Sequence, residues 1–580
     1  MADAQHDDHT KRLFAGACVA LIPTGAAFAL IGNVLGQLKT EFILTNSQVG
    51  LITGASVGAM AIALLVLGPL LEGYGLKKGL ALAFTGHIVG LTTFLAASLF
   101  STSNPTLGIW LLSIGAIILA CGNGMVEVVG NPLVAALHPN DKATKLNLWH
   151  GFFPLAIFAA GIIGYFLKGA PGFASDWVFQ LSLVYIPIII YGLMVLPLRF
   201  PNTENTEAGL PVKEMFRYTF TKPLMYGILL LMCVAISLEL GTGRWVPAIF
   251  NRIGVPGILL LSWYSLVMFV LRFFAGPFMH RLSPPGVLSI ASIFTAIGLL
   301  VYSQVPEGGI FLSFVAATCF GIGIAYYFPT IVGLVSERLP RTGSLGIVLT
   351  CGVGLGAAGF LGQPGIGMIA DTELAGYLNR EKPERTVAVL RAVDNEFPAF
   401  ADEAEQASAQ ELSNLGYRAA GLRDALGETR KALESYEKHE GKIADSSVPQ
   451  ALRAIKGAAV STDPDKDPGD QAKQLLNPEE GEPASPEKIG NEAAKSPVMA
   501  SALAAKIIGP AEGYGGQQAL LWISWTPLIL VVCFGAMYLR DKAKGGYQAG
   551  RLTSDSAESQ PGSAEQAAEP AGAGSSSSGV

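Results

Sequence analysis

Charged residues are scarce in this 580-residue chain, and this scarcity excludes most classes of soluble protein. Asp, Glu, Lys and Arg together make up 14% of the residues, whereas soluble globular proteins contain about 25%. Hydrophobic residues make up 51% of the chain, and the mean hydropathy is +0.44. We therefore predict a polytopic membrane protein.

Cysteine is also rare, and its distribution excludes a disulfide framework. All six cysteines fall inside apolar runs, where they behave as small apolar residues. The polar part of the chain shows no nucleophile and base pairing, zinc-ligand spacing or phosphate-binding loop. The sequence therefore predicts no enzyme, no metal site, no organic cofactor and no nucleic-acid partner. Its expected partners are the lipid bilayer and a small solute, and we expect a monomer.

Twelve apolar runs are long enough to cross a bilayer as helices. They lie at residues 12–38, 49–73, 79–101, 107–137, 146–168, 178–199, 222–250, 258–282, 286–304, 308–335, 342–370 and 516–540. The predicted fold is an all-α membrane protein with two pseudo-symmetric six-helix bundles. The first bundle covers 12–199, a linker covers 200–221, and the second bundle combines helices within 222–370 with a last helix at 516–541.

Positive charges predict the orientation of the chain, because Lys and Arg gather in alternate loops. We expect the protein in the inner membrane of the cell, with both termini in the cytoplasm. These are residues 1–11 and the low-complexity, disordered tail 542–580. A polar, partly helical insertion at 371–515 is then extracytoplasmic. Within it, 383–443 has the periodicity of amphipathic helices, whereas the composition of 444–497 favours a disordered linker.

One carboxylate lies in the middle of a predicted membrane span. Asn123, Glu127 and Asn131 follow one another at i, i+4 spacing and share one helix face. Inserting an ionised side chain at the centre of a helix costs about 2.5 to 3.5 kcal/mol, so such residues usually face a polar cavity and serve a function. The alternative is a structural role, in which a neighbouring helix holds the buried acid.

The loop after the second span carries a family signature. A Gly-Pro pair followed by Glu72, Lys77 and Lys78 resembles the cytoplasmic loop of the major facilitator superfamily. The resemblance implies the two-bundle fold and a gating role for these three residues. Glu72 stands where Asp is commoner, and Gly73 replaces the usual Arg. A basic loop that only fixes topology is the alternative.

Within that superfamily, the fourth and fifth spans resemble the fucose permease group of sugar and proton symporters. The shared features are a glycine pair around Asn123, the acid Glu127, the Asn-Pro step at Asn131, and a Leu-Asn-Leu step at Asn147. The resemblance implies that Glu127 binds sugar hydroxyls and takes part in proton coupling, with Asn131, Asn147 and His150 nearby.

Two departures from this group bear on coupling. Gly32 stands where the group has an acid in its first helix, and His150 replaces a glutamine. The imidazole either keeps the hydrogen-bonding role of the amide or adds a titratable group. A proton gradient is the expected driving force, and a sodium-coupled or uncoupled carrier remains an alternative.

The second half contributes further candidate residues. Glu239 is a second intramembrane acid, which either contacts substrate or forms a structural ion pair with Arg272. Trp245 and Tyr326 offer aromatic faces for a sugar ring, although packing is the commoner role of a lone aromatic residue. His87, alone on its span, is expected to be a core histidine with satisfied hydrogen bonds.

These observations predict a secondary active transporter of a small polar solute, above all a monosaccharide, working by alternating access with proton symport through Glu127. Moving one charge down 100 mV yields about 2.3 kcal/mol and tenfold accumulation needs about 1.4 kcal/mol, so one proton suffices. Two other functions stay open. One is efflux of an amphipathic compound, and the other is a membrane sensor or scaffold that uses the insertion.

Overall fold

The computed structural model describes residues 2–42, 44, 46–101, 103–168, 170–203, 206, 211–380, 383–407, 416, 417, 419–459, 468–478 and 482–550. Most of these residues are helical. In chain order, the α-helices are α1 (Ala2–Ala20), α2 (Ile22–Phe42), α3 (Asn46–Leu67), α4 (Leu71–Tyr74), α5 (Leu76–Ala96), α6 (Pro105–Leu137), α7 (Lys142–Lys168), α8 (Trp177–Ser182), α9 (Tyr185–Val195), α10 (Val212–Thr221), α11 (Pro223–Ile236), α12 (Thr242–Arg252), α13 (Gly257–Phe273), α14 (Ala275–Tyr302), α15 (Ile310–Ile324), α16 (Tyr327–Arg338), α17 (Gly343–Ala357), α18 (Gln363–Arg380), α19 (Pro383–Gln406), α20 (Ala419–Lys438), α21 (Ser447–Ala458), α22 (Pro468–Leu476), α23 (Pro486–Ala494), α24 (Pro497–Ile523) and α25 (Pro527–Ala543).

Many of these helices have the length and composition of membrane spans. Within the described residues, ten helical segments are long and apolar enough to cross a bilayer, and two shorter apolar helices cover Val57–Leu70 and Gly257–Phe273. Large apolar side chains such as Leu193, Phe311 and Val532 are exposed on their outer faces, as expected where helices meet lipid. The prediction of an all-α membrane protein is confirmed.

Close helix packing through glycine recurs in both halves of the chain. A Cβ atom added at Gly90 would lie 2.3 Å from the backbone nitrogen of Leu119, and one added at Gly298 would lie 2.5 Å from that of Phe320. Only glycine therefore allows α5 to approach α6, and α14 to approach α15, at these points. The same device at equivalent places in the two halves agrees with the predicted pseudo-symmetry.

Several spans of the second half are interrupted near mid-length. One π-helical turn at Ser237–Gly241 separates α11 from α12, and another at Ala358–Gly362 separates α17 from α18. The two turns contact each other, because a Cβ at Gly362 would lie 2.7 Å from that of Ser237. Such turns often occur at functional sites, since they release backbone groups and redirect side chains.

The insertion is a helical unit with its own apolar core, so the prediction of a disordered linker at 444–497 is wrong for the described part of that range. Helices α21, α22 and α23 occupy it. Val448, Leu452 and Ile455 lie on one face of α21 and are buried against residues of α19, α20 and α24. The prediction rested on the average composition of 444–497, which does not show the apolar stripe of each short helix. Such a stripe is enough to bury one face of an amphipathic helix. The predicted helices within 383–443 are confirmed as α19 and α20, which pack against each other.

Two helices continue from the transmembrane part into the insertion. Helix α18 continues to Arg380, beyond the predicted end at 370, and α24 begins at Pro497, before the predicted start at 516. Their outer turns contribute Leu374 and Leu503 to the core of the insertion.

The predicted disordered tail 542–580 is described as far as residue 550. There, α25 ends at Ala543 and Tyr547 and Gly550 bond to Glu337, so the prediction of disorder is wrong for 542–550, and the remainder lies outside the described residues.

A network of ion pairs joins the insertion to the adjoining transmembrane helices. The Glu512 carboxylate on α24 lies 2.9 Å from Arg252 at the end of α12, and 3.0 and 3.3 Å from Arg453 and Lys456 on α21. Arg453 also lies 2.6 Å from Asp371 on α18. One carboxylate therefore serves three cations from two parts of the molecule.

Glu512→Gln is expected to lower the free energy of unfolding by about 1 to 3 kcal/mol, because three cations lose their shared counter-ion. The effect is smaller than for a fully buried pair since the Arg252 side chain is 40% exposed. Denaturant titration and amide hydrogen exchange within α21 measure it. Glu428→Gln, which removes an exposed pair with Lys431, is the control and should change neither quantity. Unchanged exchange in Glu512→Gln would show that the network does not hold the insertion in place.

Candidate substrate site

A cavity lies between the two halves, at the depth of Glu127. Helices α2, α3, α6 and α7 form one side, while the Ser237–Gly241 turn and helices α12, α13, α16 and α17 form the other. Its lining residues are Thr24, Ala27, Phe28, Ile31, Val57, Met60, Ala116, Leu119, Ala120, Asn123, Glu127, His150, Phe153, Glu239, Leu240, Arg244, Arg272, Phe328 and Leu355. The wall is mostly apolar, with a few polar groups that converge, as is typical of small-molecule sites.

Glu127 is held by the amide that its helical spacing predicts. Asn131 Nδ2 donates to Glu127 Oε2 at 2.7 Å, and His150 Nε2 donates to Asn131 Oδ1 at 2.9 Å. His150 Nδ1 lies 3.8 Å from Glu127 Oε1. The three side chains are at most 5% exposed. The carboxyl group therefore faces the cavity with an amide and an imidazole behind it.

Asn123 fixes a second polar corner of the cavity. Its Oδ1 atom accepts hydrogen bonds from Thr24 Oγ1 at 2.9 Å and from His87 Nε2 at 3.0 Å. The Tyr191 hydroxyl donates to His87 Nδ1 at 3.0 Å. His87 is thus a fully buried histidine with both ring nitrogens bonded, as predicted. Asn123 lines the cavity, and its hydrogen bonds to the described residues engage only Oδ1, so the amide nitrogen is available as a donor.

Glu239 and Arg272 form a buried ion pair, which was one of the two interpretations of Glu239. Arg272 NH2 lies 2.9 Å from Glu239 Oε1, and Arg272 NH1 donates to His150 O at 3.1 Å. Arg272 Nε donates to Ala325 O, at the break between α15 and α16. Glu239 also lines the cavity, and its Oε2 atom has no hydrogen-bond partner among the described residues. Glu239 thus forms the ion pair through Oε1, while Oε2 makes no hydrogen bond with the described residues.

Arg244 is a cavity residue that the sequence interpretation missed. Its guanidinium lies over the Phe28 ring, 4.3 Å from the centroid, and joins α12 of one half to α2 of the other. Its neighbours in sequence are glycine, threonine and tryptophan near the end of a span, a context that is typical of an interface anchor. Arg244 follows Glu239 by five residues, which is not one turn of a regular α-helix, so helical periodicity gave no signal for it.

The structure leaves four predicted site residues outside the cavity wall. Asn147 Nδ2 donates to Thr330 at 3.0 Å, Trp245 Nε1 donates to Gln363 O at 3.1 Å, and the Tyr326 hydroxyl donates to Leu271 O at 3.0 Å. Each side chain holds two helices together in this conformation. Asn131 also lies behind the lining, where it supports Glu127.

The predicted gating residues lie around the start of α5. Lys77 and Lys78 are exposed there, whereas the Glu72 side chain lies outside the described residues. A different contact joins the two halves. Glu337 Oε1 on α16 accepts a hydrogen bond from the backbone nitrogen of Ala143 on α7 at 3.2 Å.

The chain segment after α25 reinforces this contact between the halves. The Tyr547 hydroxyl donates to Glu337 Oε2 at 2.6 Å, and Gly550 N donates to Glu337 O at 2.8 Å. Burial, together with the neighbouring Glu337 carboxylate, raises the pKa of Tyr547, so its hydroxyl keeps its proton and donates. The Arg338 guanidinium lies 4.5 Å from the Tyr547 ring centroid.

Tyr547→Phe is expected to accelerate amide hydrogen exchange at the start of α7 by about tenfold, because one hydrogen bond to a carboxylate is lost. Hydrogen exchange followed by mass spectrometry over residues 142–150 measures this change. Tyr538→Phe, on α25 and outside the contact, should leave the exchange rates unchanged. Equal rates in the two variants would show that the segment does not hold the halves together.

The fold and the cavity define a polytopic carrier, in which two helical bundles enclose a polar site at mid-membrane depth. Residues 17–361 match the Major Facilitator Superfamily. The chain therefore belongs to the Major Facilitator Superfamily, as predicted. Members of this family are membrane carriers rather than enzymes.

Known proteins with similar sequences include sugar carriers. The chain is 23% identical over 397 residues to an L-fucose-proton symporter of Escherichia coli K12, a match that covers 62% of this chain and 86% of that protein. It is 24% identical over 335 residues to a glucose/galactose transporter of Brucella abortus, with 55% and 78% covered. The solved structure of a proton:xylose symporter bound to 6-bromo-6-deoxy-D-glucose superimposes with a TM-score of 0.50 at 16% identity, covering 62% and 89%.

Proposed function

We propose that this protein is a secondary active transporter of a monosaccharide, driven by a proton gradient through Glu127. The similar curated proteins include a fucose-proton symporter and a glucose/galactose transporter, which makes sugars the first substrates to test. The polar groups of the cavity support the same class of substrate. They comprise hydroxyl, amide, carboxylate, imidazole and guanidinium groups set in an otherwise apolar wall.

The observation that carries this proposal is that Glu127 and Glu239 line one cavity and that Glu239 Oε2 has no hydrogen-bond partner among the described residues. A buried carboxylate oxygen without a hydrogen-bond partner is costly, and a ligand hydroxyl relieves that cost. Sugar hydroxyls both donate and accept, so the amide of Asn123 and the carboxylate of Glu239 suit adjacent hydroxyls. Phe28 and Phe328 supply apolar faces for the C–H side of the ring.

Glu127 is suited to carry the proton because its partners are neutral. Glu239 is ion-paired with Arg272, whereas Glu127 is bonded to an amide and can be protonated without breaking an ion pair. In the neutral tautomer that donates from Nε2, His150 has a lone pair on Nδ1, 3.8 Å from Glu127 Oε1. His150 Nδ1 can therefore accept the proton of Glu127. The proton is released when the cavity opens to the other side of the membrane.

The proposed topology has twelve spans, in which Val57–Leu70 and Gly257–Phe273 are the two shorter helices. Both termini and the contact around Glu337 then lie in the cytoplasm of a cell that carries this monomer in its inner membrane, and the insertion faces outside. The contact between Glu337 and Ala143 closes the cytoplasmic end of the cavity. Glu72, Lys77 and Lys78 are proposed to gate the same end.

The proposal is tested by uptake of labelled monosaccharides into proteoliposomes. The unmodified protein is compared with a variant whose cavity is filled by a larger side chain. Ala120 lines the cavity, so Ala120→Phe should reduce uptake at least tenfold by occupying the space of the ring. Ala159→Phe, on the exposed face of α7, is the matched control and should transport normally. Undiminished uptake by Ala120→Phe, or no monosaccharide uptake by the unmodified protein, would contradict the proposal.

A further inference from the structure

Arg244 is a cation inside the cavity without a counter-ion among the described residues. No carboxylate of those residues lies within 4.0 Å of its guanidinium, which contacts the Phe28 ring. Arg272, the other arginine of the cavity, donates to Glu239, Ala325 and His150. One arginine is therefore used by the fold, and the donors of the other remain available to a ligand.

When Glu127 carries a proton, the charges of the cavity balance only if an anion is added. Its lining contains two carboxylates, Glu127 and Glu239, and two guanidinium groups. Glu239 neutralises Arg272, so a proton on Glu127 leaves the positive charge of Arg244 unbalanced. An unbalanced charge at membrane depth is costly, and such charges usually pair with a substrate or ion. The aromatic ring of Phe28 offsets only part of this cost.

We propose that the substrate carries a single carboxylate and that Arg244 binds it, so that the transported compound is a sugar acid such as a hexuronate. The proposal rests on the proposed function and narrows its substrate class. The planar guanidinium fork matches a carboxylate through two parallel hydrogen bonds. A sugar phosphate carries about two negative charges at neutral pH, whereas the described residues of the cavity wall offer one unpaired cation.

A monoanionic substrate changes the electrical character of transport. One proton and one monoanion crossing together move no net charge. A membrane potential should then leave hexuronate uptake unchanged, whereas a pH gradient should drive it. A neutral sugar carried with one proton would respond to both. Proton binding and substrate binding also favour each other, because a proton on Glu127 removes a negative charge that would repel the substrate carboxylate.

The test compares labelled glucuronate and galacturonate with glucose and galactose in proteoliposomes of the full chain. A pH gradient and a valinomycin-imposed potassium potential are applied separately. We expect hexuronate uptake that follows the pH gradient alone and that exceeds uptake of the matched neutral sugar at least tenfold. Arg244→Gln should reduce hexuronate uptake roughly 30-fold or more, as for the loss of one partner of a desolvated charge pair. Arg281→Gln, an exposed arginine, is the control and should match the unmodified protein.

The outcomes separate this inference from the proposed function. Uptake of glucose or galactose without uptake of, or competition by, either hexuronate would overturn the inference and leave the monosaccharide transporter standing. Hexuronate uptake that persists in Arg244→Gln would also overturn it. Absence of uptake for all four compounds would overturn both proposals. Two measurements on detergent-solubilised Arg244→Gln distinguish a lost carboxylate contact from a misfolded protein. A folded variant keeps the cooperative thermal transition of the unmodified chain, and tryptophan fluorescence then measures how well it binds each sugar.

Discussion

Replacement of Arg272 by methionine is expected to destabilise the protein by about 3 to 5 kcal/mol, because the Glu239 carboxylate would stay buried without its counter-ion. Arg272 is 1% exposed, and its three donor groups connect α13 to the π turn, to the break after α15 and to α7 of the other half. Detergent-denaturation curves of the purified variant measure the loss.

A second substitution identifies the cause. Glu239→Gln combined with Arg272→Met removes both charges, so the double variant should recover part of the stability that the single Arg272 variant loses. Arg281→Gln removes an exposed arginine and should unfold as the unmodified protein does. A double variant no more stable than Arg272→Met would show that the lost contacts to Ala325 and His150, rather than the unpaired carboxylate, cause the effect.

Glu127→Gln should abolish accumulation of substrate while preserving its exchange across the membrane. The glutamine oxygen can still accept from Asn131 Nδ2, as the carboxylate does at 2.7 Å, so the cavity keeps its shape. An inward gradient of one pH unit is worth about 1.4 kcal/mol and drives about tenfold accumulation with one proton. The variant should reach only equal concentrations on the two sides.

Two radiotracer assays measure this difference. One follows net uptake under a pH gradient, and the other follows exchange of labelled for unlabelled substrate without a gradient. Glu307→Gln, an exposed acid, should behave normally in both assays. Accumulation by Glu127→Gln that still depends on the pH gradient would remove Glu127 from the coupling step, and loss of exchange as well would assign it to substrate binding.

The sequence predicted those site residues whose neighbours lie on the same helix. Asn123, Glu127 and Asn131 are spaced so that any α-helix places them on one stripe, and the structure has them there. The ion pair of Glu239 with Arg272 was one of two interpretations, because charges in a membrane interior usually find partners. Such inferences need helix periodicity and burial alone.

Residues whose position depends on how two helices cross were beyond the sequence. Arg244 reaches the cavity because α12 crosses α2 where Phe28 lies. The helical periodicity of a sequence does not predict where two helices cross. Trp245, the next residue along the helix, points about 100° away and donates to Gln363 O instead. Asn147 bonds Thr330 across the two halves in this conformation. Helices α21 to α23 of the insertion were missed for another reason, since their charged composition outweighed a short apolar stripe.

Proton movement caused by substrate tests the central claim most directly. Proteoliposomes that contain a pH-sensitive dye receive substrate on the outside, at equal pH on both sides and with the potential clamped to zero. Coupling through Glu127 predicts a fall of internal pH on substrate addition to the unmodified protein and no change for Glu127→Gln. Exchange of labelled substrate with no change of internal pH in the unmodified protein would contradict proton symport.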